Sequence, residues 1–221
     1  MINKKKGFTL AEVLITLGII GVVAALSTPA LIQHAASAKT GPSLARGISI
    51  LAQGLEAYMQ DYESNDMMGA DPAISKAPQS LFDELEEHHI KMKAGAATAK
   101  TIYEAIASNT AYSGGDTTGI KVYLLNDKSA YFVPSTECNP KTSTRCPVYF
   151  LPVGWLAKKH IAIGEDAFEL SYTNKGDVEV LGLDYGNLWT TSCSDPENMA
   201  PTENKASCGG RIVANGFKKD Y

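Results

Sequence analysis

Apolar and polar positions divide the chain into three regimes. From Phe8 to Ile32 almost every position is apolar, and the one charge is Glu12. From Leu44 to Tyr62, apolar residues (Leu44, Ile48, Leu51, Leu55, Tyr58, Tyr62) recur at alternating four- and three-residue spacing. Arg46, Gln53, Gln60 and Glu63 fall on the opposite side, which predicts an amphipathic helix with a single apolar stripe packed on a sheet. Beyond residue 120, short runs rich in aromatic and β-branched residues alternate with turn formers, the pattern of antiparallel strands.

The first regime is a membrane-length helix. Its 25 residues make about 37 Å of helix, longer than the roughly 30 Å hydrocarbon core. Lys4, Lys5 and Lys6 precede it, so the amino end is expected to stay cytoplasmic. Glu12 lies inside the run, where a charge costs on the order of 3 kcal/mol. A carboxylate there calls for a positive partner in an assembled state. An amine created at Phe8 by cleavage after Gly7 would serve. Ala11, Leu14, Gly18, Gly21, Ala25 and Thr28 form a narrow stripe, mostly of small residues, suited to close helix packing in lipid. Pro29 removes one backbone bond and is expected to bend or loosen the helix there.

Gln33 to Pro42 reads as a linker-like stretch, with Gly41-Pro42 bending or briefly breaking the helix. Residues 64–80 read as a loop. Leu81 to Met92 reads as a short helix capped by Ser80, and Ala97 to Ser108 as another. Ile120–Leu125 and Ala130–Val133 flank Asn126-Asp127-Lys128 as a hairpin. Val148–Pro152 reads as a strand, and Phe168–Tyr172 and Val178–Leu183 flank Asn174-Lys175-Gly176 as a second hairpin. The expected fold is therefore α+β, with a long helix, small helices and then an antiparallel sheet.

Composition narrows the chemistry. The net charge of −4 falls to −7 once the three leader lysines are lost, which speaks against a general nucleic-acid binder. A local basic patch remains open around Lys141, Arg145, Lys158 and Lys159. About 180 residues beyond the apolar span suffice for one core. The four cysteines (Cys138, Cys146, Cys193, Cys208) lack the spacing of zinc ligands. Outside the cytoplasm they imply two disulfides with three possible connectivities. Turn formers within both intervals favour Cys138–Cys146 and Cys193–Cys208.

The segment Lys6-Gly7-Phe8-Thr9-Leu10-Ala11-Glu12-Val13-Leu14-Ile15 resembles the class III signal of type IV pilins and type II secretion pseudopilins. The resemblance covers residues 4–32 closely, is weaker over the next thirty residues and is loose beyond them. It implies cleavage between Gly7 and Phe8 by a prepilin peptidase, then N-methylation of Phe8. It assigns assembly roles to Glu12 and to the helix-kinking Pro29. It also implies a pilin-like fold, with residues 1–7 as leader, 8–32 as membrane and filament-core helix, 33–63 as its amphipathic continuation, and 64–221 as an α+β head. The partners implied are other pilin-like subunits and an inner-membrane assembly platform. The chain would reside in the bacterial inner membrane before assembly, and in a periplasmic or extracellular filament afterwards.

No P-loop, G-x-S-x-G, H-E-x-x-H or EF-hand pattern occurs, so neither enzyme activity, cofactor nor metal is expected. His34, His88, His89 and His160 are scattered, and His88-His89 reads as a solvated helix end. Asp177, Glu179 and Asp184 have the oxygen chemistry calcium prefers, but read as the wet face of a hairpin. Trp155 and Trp189 read as packing residues. Two other functions remain open. One is a minor pilin acting in adhesion or DNA uptake. The other is a membrane-anchored or secreted domain without a filament, for which Ala36-Ser37-Ala38 offers a general signal-peptidase site.

Overall fold

In the computed structural model, residues 9–95, 121–143, 146–153, 155, 164, 166–181 and 208–217 are described; for residues 28–38, 94 and 95 this is the backbone only. Helix α1 runs over Leu10–Asp61. Residues 1–37 and 38–221 form two separate compact units. In the first, the helix from Leu10 to Ser27 is long and apolar enough to cross a membrane. Its large side chains, Leu10 to Leu26, are exposed. Thr16 and Ser27 donate their hydroxyls to helix carbonyls one turn back, at 2.9 and 2.8 Å, so neither presents an unpaired donor to lipid.

In the second unit, Leu44, Leu51, Leu55 and Tyr58 of α1 are fully buried, while Arg46, Gln53, Gln60 and Glu63 are exposed. The amphipathic reading is therefore correct, with Tyr62 left 41% exposed at its end. Glycines on the same face set the approach distance. A Cβ at Gly47 would overlap the Phe150 ring, and one at Gly41 would overlap the carbonyl of Phe217. Gly41-Pro42 does not break the helix: α1 is continuous, and Gly41 serves close packing rather than a turn.

After α1 the expected loop holds short helices: α2 (Met67–Ala70), α3 (Pro72–Lys76) and α4 (Pro78–Glu84). The carboxylate of Asp66 accepts from Gly69 N–H, and that of Asp71 from Ala73 and Ile74 N–H. Pro72 and Pro78 occupy first helical positions, where a missing N–H is harmless. The helix expected over Leu81–Met92 starts and ends three residues earlier. It passes into one π-helical turn, Leu85–His89, closed by Ile90 N–H donating to Leu85 O at 2.6 Å. Ser80 lies inside α4 and caps nothing.

Among the described residues, six antiparallel strands follow in simple meander order: β1 (Met92–Gly95), β2 (Lys121–Leu125), β3 (Ala130–Val133), β4 (Pro147–Leu151), β5 (Phe168–Tyr172) and β6 (Val178–Val180). Alternate residues (Tyr123, Tyr131, Val133, Val148, Phe150, Phe168, Leu170, Tyr172) join the helix stripe in one core. The opposite face is buried as well, at Val122, Phe132, Tyr149 and Leu151.

Polar ties lock α1 onto the sheet. Tyr131 donates its hydroxyl to Gly47 O at 2.5 Å, Val153 N–H donates to Ser43 Oγ at 3.1 Å, and Arg46 pairs with Asp127 at 3.3 Å. Burial pushes the Tyr131 phenol well above its ordinary pKa, so it remains a protonated donor. Helix α5 (Cys208–Ala214) lies on β5 and β6, with Gly210 N–H donating to Leu181 O at 3.1 Å. It ends in a Schellman turn. Gly216, at φ 64°, bonds back to Val213 O, and Phe217 to Ile212 O. Lys4–Lys6, Ala97–Ser108, Arg145, Lys158, Lys159, Asp184 and Trp189 lie outside the described residues.

Candidate processing and assembly site

The helix begins where its sequence can satisfy its own end. Thr9 precedes α1, and its carbonyl accepts from Val13 N–H at 3.3 Å. Glu12 N–H donates to Thr9 Oγ1 at 3.3 Å. In return, the Glu12 carboxylate accepts from Thr9 N–H at 2.8 Å and from Thr9 Oγ1 at 2.9 Å, both through Oε2. This reciprocal arrangement is a capping box, in which a threonine and a glutamate three residues on satisfy each other's orphan donors. Thr-x-x-Glu ahead of an apolar run is the sequence signal of such a box, and it marks Thr9 as a partner of Glu12 within the chain.

The box changes the electrostatic argument without ending it. One oxygen of Glu12 is satisfied within its own first turn. Among the described residues none supplies a countercharge: the contacts to Oε2 come from an amide and a hydroxyl. A net negative charge therefore still stands on an exposed apolar helix, and that remains expensive in lipid.

Of the other expected site residues, Gly7, Phe8 and Lys4–Lys6 lie outside the described residues. Pro29 sits within α1, which continues through it. Cys138 and Cys146 form the expected disulfide. Both are buried, at 8% and 0% exposure. Cys138 N–H donates to Lys76 O at 2.8 Å and Cys146 N–H to Ser171 Oγ at 3.0 Å, so the bridge joins α3 to strand β5 of the sheet. Cys208 is also disulfide-bonded, and Cys193 lies outside the described residues.

His88 is half-exposed near Glu84 and Glu87, whereas the His89 side chain is 7% exposed and reaches Asp61 at 3.5 Å. His89 is thus not the solvated residue expected, because the π-helical turn rotates it toward the end of α1. Asp177 belongs to the β5–β6 turn, whose Gly176 takes φ 81° against Met59. Among the described residues, no group of three or more His, Cys, Asp or Glu side chains is placed to hold a metal ion. Trp155 is buried and donates its indole N–H to Lys128 O at 2.8 Å.

No curated protein and no solved structure matches the chain. Its amino-terminal segment does match a known family pattern, and the matched residues contain both the capping box and the membrane-length helix. Residues 2–28 carry the prokaryotic N-terminal methylation motif, the class III prepilin signal of type IV pilins and pseudopilins.

Proposed function

We propose that this chain is the precursor of a structural filament subunit, of a type IV pilus or a type II secretion pseudopilus. The observation that carries the reading is the methylation motif over residues 2–28, with Glu12 placed three residues into an exposed, membrane-length helix. Residues 1–7 act as a leader, with Lys4–Lys6 held on the cytoplasmic side. A prepilin peptidase cuts between Gly7 and Phe8, and the new amine of Phe8 is methylated. Residues 8–32 anchor the subunit, then leave the bilayer as helices pack against those of other pilin-like subunits at an inner-membrane platform. Residues 33–63 and the head, 64–221, form the outer part of the assembly. Its role is structural rather than catalytic.

Within the filament, the Glu12 carboxylate pairs with the Phe8 amine of an adjacent subunit. Such a pair fixes register more than it adds stability, because each charge must leave water. Pro29 gives the core helix a point where it can bend during packing.

Gly7 tests the processing step. Gly7→Val, expressed in cells that process such precursors, is expected to insert normally and accumulate with its leader attached. Normal trimming of that variant, read by mass spectrometry of the membrane fraction, would contradict this cleavage site.

A further inference from the structure

The inference here rests on the Glu12–amine pairing proposed above. We infer that Thr9 is a positioning residue for that pairing, holding one oxygen of Glu12 so that the other is left for a neighbouring copy. Thr9 donates both its amide N–H and its hydroxyl to Oε2, at 2.8 and 2.9 Å, and accepts from Glu12 N–H at 3.3 Å. Among the described residues no hydrogen bond falls on Oε1. A glutamate on an exposed helix otherwise samples many rotamers, and ordering it costs side-chain entropy. Thr9 meets that ordering cost before a second subunit arrives, so the encounter does not bear it again. The hydroxyl suits the task because it accepts and donates at once. Valine has the same shape and can do neither.

A simple helix cap is the competing role, and the choice of variants separates the two. Full-length Thr9→Ser, Thr9→Val and Thr9→Asp chains are compared in cells carrying the assembly machinery. The readout is the fraction of chains beginning at Phe8 that enters sheared filaments. Thr9→Ser is expected to stay within about twofold of the parent, since it keeps the hydroxyl. Thr9→Val is expected to fall roughly ten- to a hundredfold, the loss of a hydrogen bond to a carboxylate.

Thr9→Asp decides the matter. Aspartate caps a helix as well as threonine, but it offers no hydroxyl donor at neutral pH and sets a like charge beside Glu12. Positioning predicts that Thr9→Asp falls at least as far as Thr9→Val. Incorporation of Thr9→Asp or Thr9→Val at the parent level overturns the role. Glu12→Leu, run in parallel, keeps the two ideas apart: if it alone fails, the pairing stands without Thr9, and if it too assembles normally, the pairing itself is wrong.

Discussion

Glu12→Leu is expected to insert and lose its leader like the parent, yet enter filaments at least about a hundredfold less. Removing one member of a buried ion pair leaves the other charge stranded, at roughly 3–5 kcal/mol. In the proposed pairing the stranded group is the amine of Phe8 on the adjacent subunit. Leucine also deletes the capping box, so this variant alone does not say which loss matters. Glu12→Gln does. Glutamine sustains the same box and keeps the bonds that Oε2 accepts from Thr9, but carries no charge. Pairing predicts that Glu12→Gln is nearly as defective as Glu12→Leu. Capping alone predicts that it assembles like the parent. Quantitative blots of sheared filaments against membranes separate the two outcomes.

The second large effect falls on the head. Replacing Cys138 and Cys146 together by alanine is expected to lower stability by about 2–3 kcal/mol, the chain-entropy value for so short a loop. The loss is structural because the bridge is buried and its two ends hold the backbone to Lys76 and Ser171. Urea unfolding of the full chain in detergent, followed by tyrosine and tryptophan fluorescence, measures it. An unchanged midpoint would mean that packing of β3, β4 and β5 fixes that loop without the bond.

Much of this architecture is legible along the chain. The buried stripe from Leu44 to Tyr58, the strands Ala130–Val133 and Phe168–Tyr172, and the Cys138–Cys146 bridge all fall where pattern and spacing place them. What escapes reading has physical causes. Gly41-Pro42 looks like a breaker, but the close approach of Phe217 requires a glycine there, and the helix runs on. Met92–Gly95 consists largely of residues that favour helix, and only its ladder with β2 makes it a strand. Helices of four or five residues show no periodicity. Only Asp66 and Asp71-Pro72 betray α2 and α3, through their capping chemistry. The π-helical turn leaves no pattern at all, which is why His89 reads as exposed.

The candidate site was half legible. Glu12 stands out because a charge within an apolar run demands a reason. The demand led outward to another subunit, while a nearer partner sat three residues before it. The proposed pairing is compatible with the box: Thr9 engages one oxygen through an amide and a hydroxyl and supplies no charge, so a positive partner for Glu12 would still lower its cost in lipid.

Mass analysis of the amino terminus of the mature chain, isolated from cells that process such precursors, tests the whole account most directly. A chain beginning at Phe8, with one added methyl group, is the predicted result. A chain that keeps Lys4–Lys6, or that begins at Lys39 after a cut behind Ala38, would contradict it, because no amine would then exist where Glu12 needs one.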